Sequence, residues 1–289
     1  LMLLCASRLR SRPVHRSTQT PRVSFVISAF NEEAAIGDRI RNLLSMDYPV
    51  DRWRALIGVD GSRDRTAEAA RIAAAGHPNI QILEFTENQG KIAVLKELVR
   101  RVESAPAGSD LLVFSDANTE FEPEALPRLV APFSDPAVGG VCGKLVYTEV
   151  AGGETQENFY WKFENWLKAT ESRLDSCLGA NGAIYAIRTP LFWKAVPSNT
   201  IIDDFVIGMK VREQGYRMLY EPAAVASEAL PQRVNDEWKR RVRIGSGNYQ
   251  AVRLCAASLS PSRGFFAWFF WSHKVLRWFE KPALLQLYQ

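Results

Sequence analysis

Short apolar runs in this chain end in side chains that can hold a metal ion or accept a proton. The central run covers residues 111–114 and is followed directly by Ser115, Asp116, Ala117 and Asn118. If the backbone stays extended there, Asp116 and Asn118 point to the same side. Their hard oxygen atoms then suit Mg²⁺ or Mn²⁺ bound to a diphosphate. The same residues also fit a strand that ends in an Asx turn and a helix N-cap.

Two adjacent carboxylates, Asp203 and Asp204, follow a pair of isoleucines and precede a segment that we predict to be a helix ending near Gln214. One acid would be enough to cap this helix, and capping is the alternative interpretation. Two neighbouring acids repel each other, which raises the pKa of one of them toward that of a useful general base.

Two arginines, Arg240 and Arg243, lie three residues apart in a basic stretch and share a face if that stretch is helical. Such a pair can clamp a departing diphosphate. A solvated basic helix face is the alternative.

Polar residues also follow the first three predicted strands. Asn31 and Glu32 follow the strand at 23–29, and Asn31 is predicted to cap a helix that runs to about residue 44. Asp60 ends the second strand, where it is either an acceptor for a base or ribose hydroxyl, or a turn residue. Lys91 follows a glycine at a helix start, where backbone N–H groups and the ammonium can hold a phosphate. The full P-loop pattern is absent.

These residues need a scaffold that brings strand ends together. Apolar runs at 23–29, 53–59, 80–85 and 111–114 alternate with helical patterns at 65–75 and 92–102. This alternation predicts an α/β fold with a doubly wound, mostly parallel sheet, whose ligands bind at the carboxyl edge. Further helices are predicted at 123–133 and 158–167, and further strands at 138–141, 144–147 and 184–187.

The composition is typical of a folded protein, and the spacing of cysteine and histidine does not predict a zinc site. The 289 residues are 47% hydrophobic and 24% charged, with a net charge of +4. This argues weakly for an anionic partner such as a phosphate or a membrane surface, and against nucleic acid. The four cysteines and three histidines have no zinc-binding spacing, so free thiols in a reducing compartment are expected.

Both ends of the chain suggest contact with a membrane. Residues 1–6 are apolar and several arginines follow, which predicts the end of a membrane helix on the cytoplasmic side, with a frayed tail as the alternative. Residues 265–278 combine aromatic side chains with cations and suit the headgroup region. A buried core helix is the competing interpretation, against which the cations argue. No segment contains the roughly 20 apolar residues that a span needs.

Six short motifs occur in the order found in one enzyme family. Residues 29–32 are similar to P-x-Y-N-E, 60–62 to D-G-S and 88–91 to N-x-G-K. Residues 115–118 stand where that family has D-x-D, 203–204 where it has T-E-D, and 240–244 where it has Q-x-x-R-W. On these motifs the chain resembles the family 2 glycosyltransferases, specifically the membrane-embedded branch of cellulose, chitin, hyaluronan and poly-N-acetylglucosamine synthases.

The resemblance implies a GT-A-type fold and an inverting transfer of a sugar from a UDP-sugar to a hydroxyl of a growing polysaccharide or glycolipid. It implies that Asn31, Glu32 and Asp60 hold the nucleoside side of the donor and that Lys91 contacts the phosphates. Asp116 and Asn118 would position Mg²⁺ or Mn²⁺, and Asp204, beside Asp203, would be the catalytic base. Arg240 and Arg243 would stabilise the departing diphosphate.

The resemblance also implies a multi-pass protein of the inner membrane with a cytoplasmic catalytic domain, transmembrane helices mostly outside this sequence, and accessory subunits as possible partners. We predict a membrane helix end and basic linker at 1–20, a catalytic domain at 21–255 and aromatic interfacial helices at 256–289. Within the catalytic domain, 21–145 would bind the nucleotide and 146–255 the acceptor.

Three positions depart from the family pattern. Asn118 replaces an Asp, Asp203 replaces a Glu, and Arg240 with Ile244 replaces the Gln and Trp associated with processive synthesis. The alternatives are therefore a non-processive transferase acting on a lipid or small acceptor, a non-catalytic subunit of the same fold that binds nucleotide or a partner, and a structural protein of the membrane surface.

Overall fold

The computed structural model describes residues 11–148, 159–229 and 234–278. Within these residues eight strands form one mixed sheet, in the order β3-β2-β1-β4-β7-β6-β8-β5. The strands are β1 (Val23–Ala29), β2 (Trp53–Asp60), β3 (Ile80–Phe85), β4 (Leu111–Phe114), β5 (Glu120–Phe121), β6 (Val138–Thr148), β7 (Tyr185–Arg188) and β8 (Arg217–Ala229).

The first four strands form the parallel half of the sheet. β1 pairs in parallel with β2 and β4, and β2 pairs with β3. Side chains alternate between two cores, so that Phe25 and Ile27 of β1 face one core and Val26 faces the other. The predicted α/β architecture with a mostly parallel sheet is confirmed.

The other half of the sheet is mixed. β7 lies antiparallel between β4 and β6, β6 pairs in parallel with β8, and the short β5 pairs antiparallel with β8. The two strands predicted at 138–141 and 144–147 are one strand, β6, with a register shift between Gly143 and Lys144. A Cβ at Gly143 would lie 2.5 Å from the carbonyl oxygen of Ala224. The glycine therefore permits close backbone approach inside the sheet.

Helices cover both faces of the sheet. They are α1 (Ile36–Leu44), α2 (Thr66–Ala74), α3 (Lys91–Ser104), α4 (Ala125–Val130), α5 (Phe159–Leu174), α6 (Asp203–Glu213), α7 (Val234–Leu254) and α8 (Phe265–Phe269), which continues into a π-helical segment at Phe270–Val275. α1, α2 and α4 pack on one face, and α3 and α6 on the other. The helix predicted at 123–133 is shorter, because Pro132 lacks the N–H that would continue it, and a 3₁₀ turn follows.

The C-terminal aromatic segment, residues 265–278, packs on the domain with one face. Phe266, Phe269 and Phe270 share a core with Phe205 and Met209 of α6. The argument that its cations exclude a core position is wrong, because acidic side chains of α5 neutralise them. The opposite face exposes Phe265, Trp268, Trp271 and Leu276. An interfacial role for that face stays a prediction.

The basic stretch at residues 11–20 lies along the domain. The Arg12 N–H donates to the carbonyl of Arg173 at 3.0 Å, and Arg16 forms an ion pair with Glu221. Residues 1–10, where the membrane helix end is predicted, lie outside the described residues. None of the helices in the described parts of the chain is both long enough and apolar enough to cross a bilayer.

Candidate active site

A cleft of about 860 Å³ opens at the carboxyl edge of the parallel strands and extends over β6 and α6. It is lined by most of the side chains that the sequence singles out. These are Glu32, Lys91, Asp116, Asn118, Asp203, Asp204 and Arg243. The structure thus places residues from both halves of the chain around one space, as the ends of neighbouring strands require.

Asp116 and Asn118 enter the cleft from a turn rather than from an extended strand. β4 ends at Phe114, and the chain then turns at Ala117 and Asn118. The expectation that Asp116 and Asn118 share a side through extended geometry is therefore wrong, although both line the cleft. Asp116 Oδ1 accepts a hydrogen bond from Lys91 Nζ at 2.7 Å.

Lys91 forms ion pairs with acids of both motifs, Asp116 and Asp203. Its Nζ lies 2.7 Å from Asp116 Oδ1 and 3.7 Å from Asp203 Oδ2. Burial opposes the charged form, but the carboxylates of Asp116 and Asp203 outweigh it and raise the pKa of Lys91. The ammonium is therefore a fixed positive charge inside an acidic cleft.

Asp203 and Asp204 begin α6. Asp204 Oδ1 accepts a hydrogen bond from the Phe205 N–H at 2.8 Å, which fixes the carboxylate at the helix start. Burial and the neighbouring Asp203 raise the pKa of Asp204 to about 6, against the opposing effect of Lys91. Burial also raises the pKa of Asp203. Such a shift is typical of a carboxylate that exchanges protons near neutral pH.

Gly182 lies in space between the carboxylates of Asp116 and Asp204. A Cβ at this position would lie 3.1 Å from Asp116 Oδ2 and 3.5 Å from Asp204 Oδ2, so both carboxylates face the same small space. Asn181 holds the loop, since its Nδ2 donates to the Gly143 carbonyl at 2.9 Å and its Oδ1 accepts from the Ile184 N–H at 3.0 Å. Sequence reasoning did not assign Asn181 and Gly182 to the site, because the residues they contact are distant in the chain.

Asp60 lies outside the cleft lining. Its side chain is 2% exposed. Its Oδ1 accepts from the Gln89 N–H at 2.7 Å and its Oδ2 from the Gly90 N–H at 2.9 Å. In this structure Asp60 therefore holds the loop that leads into Lys91.

Asn31 does not cap α1, which begins five residues later at Ile36. Asn31 adopts a left-handed backbone with φ of +56°, and its Oδ1 accepts from the Arg63 N–H at 2.9 Å. This bond ties the first loop to the loop after β2, so the N-cap prediction is wrong. Next to it, burial and the carboxylates of Asp116 and Asp64 raise the pKa of Glu32 in the cleft.

The end of the cleft farther from the sheet is formed by α5 and the C-terminal aromatic segment. Lys168, Lys274, Arg277 and Trp278 line it. Glu164 of α5 forms ion pairs with Lys274 at 3.4 Å and with Arg277, and His273 Nδ1 lies 2.5 Å from Glu171 Oε1. No local sequence pattern predicts these contacts, because the paired residues are about 100 positions apart. Arg240 lies on α7, but its side chain is outside the described residues.

The cleft offers hard oxygen donors to a divalent ion. Within the described parts of the chain, no three histidine, cysteine, aspartate or glutamate side chains are grouped to hold a metal by themselves. Asp116 and Asn118 nevertheless both line the cleft, and their side chains carry a carboxylate and an amide oxygen. This donor set suits Mg²⁺ or Mn²⁺ when a diphosphate and water complete the coordination.

Comparisons with known proteins agree with this arrangement. A family model described as Glycosyl transferase family 2 matches residues 24–193, and one described as Glycosyl transferase family group 2 matches residues 111–286. Poly-beta-1,6-N-acetyl-D-glucosamine synthases from Staphylococcus aureus and Staphylococcus epidermidis are 26% and 25% identical over 84% of this chain. The chain spans 58% and 60% of their lengths.

Two solved structures share the fold. A mannosyltransferase from Pyrobaculum calidifontis, in complex with GDP-Man and Mn²⁺, matches with a TM-score of 0.71 and 26% identity, over 87% of this chain and 71% of that one. GalNAc-T7 with UDP, GalNAc and Mn²⁺ matches with a TM-score of 0.56 and 15% identity, over 78% of this chain and 49% of that one. The predicted GT-A-type fold is confirmed.

Proposed function

Because this chain belongs to glycosyl transferase family 2, we propose that it transfers a sugar, with inversion, from a nucleotide-sugar donor to a hydroxyl group of a growing polysaccharide or glycolipid. The donor we propose is UDP-linked. The observation that carries the proposal is the cleft in which Asp116 and Asp204 face each other across Gly182 while Lys91 pairs with Asp116.

Asp204 is the proposed general base. Its carboxylate takes the proton from the acceptor hydroxyl while that oxygen attacks the anomeric carbon, and the bond from this carbon to the diphosphate breaks. A pKa of about 6 keeps the group ionised at neutral pH and still basic enough to accept a proton. The hydrogen bond from the Phe205 N–H leaves the other oxygen, Oδ2, facing the space beside Gly182.

The charged side chains near Asp204 provide the electrostatic environment of the reaction. Lys91 and Arg243 line the cleft and would stabilise negative charge on the leaving diphosphate. We propose the same role for Arg240, one turn away on α7. Asp203 lies 3.7 Å from Lys91 Nζ and positions that ammonium.

Asp116 and Asn118 would hold a divalent ion on the diphosphate. When bound, that ion supplies Lewis-acid stabilisation of the leaving group. Lys91 already neutralises one oxygen of Asp116. Mn²⁺ accompanies the nucleotide in the mannosyltransferase complex that this chain resembles, which supports a divalent ion here.

The nucleoside side of the donor would lie over the loops that follow β1 and β2. Glu32 lines the cleft there, and Asn31 fixes the two loops to each other. We propose that Asp60 acts on the nucleotide by two routes, a direct contact with the base and the placement of Lys91 through the preceding loop.

The acceptor would enter from the end lined by α5. The similarity to poly-beta-1,6-N-acetyl-D-glucosamine synthases supports a glycan acceptor. For the whole protein we propose a multi-pass location in the inner membrane, with the catalytic domain on the cytoplasmic face and accessory subunits as partners. The exposed aromatic face at Trp268 and Trp271 supports contact with the bilayer interface.

The test is a donor panel. Membranes containing the full protein are incubated with UDP- and GDP-sugars, with and without Mn²⁺, and nucleoside diphosphate release is measured. We expect release from a UDP-sugar only when Mn²⁺ is present. Release from a GDP-sugar alone would refute the UDP assignment, and no release from any donor would favour a non-catalytic subunit. Product length then separates a polymerase from a single-transfer enzyme.

A further inference from the structure

Helix α7 contacts the loop that leads into the proposed base. Residues 199–202 form this loop and precede Asp203, where α6 begins. Gln250 of α7 makes two hydrogen bonds with the loop backbone: its Oε1 accepts from the Ile201 N–H at 2.9 Å, and its Nε2 donates to the Asn199 carbonyl at 3.0 Å. These partners are about 50 positions away in the chain, so the bonds hold the loop on α7. None of the roles assigned above uses Gln250.

A glycine one turn before Gln250 lets α7 lie close against the same loop. A Cβ at Gly247 would lie 3.0 Å from Cγ2 of Ile201 and 3.0 Å from Cγ2 of Ile202. A Cβ at Gly245, two residues earlier on the helix, would meet open space. Glycine is less favourable than alanine in a helix interior by about 1 kcal/mol. At position 247 the close contact with the loop therefore accounts for the glycine.

α7 is also fixed on α6 beyond the loop. Lys210 of α6 donates to the carbonyl of Leu254, the last residue of α7, at 2.7 Å. Ala251 of α7 shares a core with Phe205 and Val206 of α6. The end of α6 that carries Asp203 and Asp204 therefore rests on α7.

The face of α7 that holds the loop continues into the cleft. Arg243, Gly247 and Gln250 are spaced by four and three residues, which places them on one face of the helix. Arg243 lines the cleft. At 1.5 Å per residue, Gln250 lies about 10 Å further along the helix axis. One rigid element thus carries a cleft arginine and the side chain that holds the loop before the base.

We propose that Gln250 is a positioning residue for Asp204, whose carboxylate it fixes relative to Arg243 and the leaving diphosphate by holding residues 199–201 on α7. This role rests on the proposed function of Asp204 as general base. Gln250 does not line the cleft, so it acts on the base through the loop and not on the substrates. Misplacing a reacting group by about 1 Å can lower a rate by about 10²-fold, so the bonds of Gln250 should affect catalysis strongly.

The experiment measures catalysis and nucleotide binding separately in the full protein. Transfer is followed with the sugar donor that releases nucleoside diphosphate in the donor panel, and UDP affinity is measured by calorimetry with Mn²⁺ present. Gln250→Leu can make neither hydrogen bond and should lower kcat at least tenfold, while UDP affinity stays within twofold of wild type. Gly247→Ala should also lower kcat, because its Cβ would displace Ile201 and Ile202.

Two matched controls separate positioning from general stability. Gln214→Leu removes two bonds of the same kind, from the Gln214 side chain to the carbonyls of Leu191 and Lys210, at the opposite end of α6. Gly245→Ala makes the same substitution on α7 where space is open. Both controls should keep kcat within twofold of wild type.

The outcomes distinguish this role from the proposed function. If Gln250→Leu does not fold by near-UV circular dichroism, Gly247→Ala provides the test, since alanine favours the helix. A kcat above half of wild type in the folded variants, a loss no larger than in Gln214→Leu, or a fall in UDP affinity as large as the fall in kcat would overturn the role of Gln250 and leave the proposed function intact. A wild-type protein that binds UDP but transfers no sugar would refute the proposed function, and the role of Gln250 with it.

Discussion

Replacing Asp204 with Asn should make the protein more stable at neutral pH and inactive in transfer. Asn has the shape of Asp and can still accept the hydrogen bond from the Phe205 N–H, but it cannot take a proton. Removing a general base costs roughly 10²–10⁴-fold in rate. Donor binding should remain, because the proposed donor contacts are made by Glu32, Lys91 and Asp116 and not by Asp204 itself.

The stability gain follows from the raised pKa. Folding moves the pKa of Asp204 from its ordinary value of 3.8 to about 6. A shift of about two units corresponds to roughly 3 kcal/mol when the group is ionised in both states. Because Asp204 is only partly buried, solvent screening reduces this, and we expect a gain of about 1–2 kcal/mol for the Asn variant.

The sign of this effect depends on pH. A raised folded-state pKa means that the protonated carboxyl stabilises the fold below pH 3.8, and that this contribution is lost as the pH rises to about 6. Asn lacks this loss. The free energy of unfolding of Asp204→Asn should therefore nearly equal that of wild type at pH 4. Above pH 7 it should exceed the wild-type value by about 1–2 kcal/mol.

The assay is urea unfolding at several pH values, together with transfer and nucleotide binding at pH 7.5. Asp38→Asn, at an exposed position on α1, is the control and should show neither effect. A variant that retains a tenth of wild-type turnover would show that Asp204 is not the base. If the variant is destabilised by the same amount at pH 4 and above pH 7, the ionised carboxylate of Asp204 does not destabilise the fold and the reasoning is wrong.

Three further predictions follow from the site. Gly182→Ala should lower transfer at least tenfold without unfolding the protein, because its Cβ would crowd Asp116 Oδ2 at 3.1 Å and fill the space that Asp204 also faces. Gly245→Ala, with open space around it, should be neutral in the same rate assay. Asn118→Asp should bind Mn²⁺ several-fold more tightly than wild type, since it adds a charged ligand. Electron paramagnetic resonance measures this affinity, and an unchanged value would show that residue 118 does not bind the metal. Glu164→Gln should lower the free energy of unfolding by about 2 kcal/mol, because it leaves the half-buried cations of Lys274 and Arg277 without their acid. In the same urea titration, Glu97→Gln, which removes the more exposed ion pairs with Arg100 and Arg101, should cost less than about 1 kcal/mol.

The sequence predicted the parallel half of the sheet because each of its strands is a continuous apolar run with a local signal. That half also brings Asp116 and Lys91 to one edge, since strands that run in parallel end at the same side. Asp204 joins them from a distant part of the chain. Its motif could be identified from the sequence, but its distance from Asp116 could not.

The errors arose where a contact between distant residues overrides a local preference. Asn31 is of a residue type that often caps helices, yet its side-chain oxygen accepts a hydrogen bond from the Arg63 N–H in the loop after β2. The sequence also could not show that the oxygens of Asp60 accept from the backbone of Gln89 and Gly90, and the contact of Asp60 with the nucleotide stays a prediction. The cations near residue 274 looked too polar for a core, yet Glu164 neutralises them from 110 residues away.

Ion pairs connect α5 with the C-terminal aromatic segment, so the proposed catalytic cleft and the proposed membrane-facing surface do not form separate modules. Trp278 packs edge-on against Phe205, the residue next to Asp204, with ring centroids 5.4 Å apart. A force on the chain near Trp278 would therefore act next to the proposed base, whereas β1 and β2 belong to other core clusters. Changes in lipid thickness or composition should alter acceptor turnover and leave donor affinity as it was.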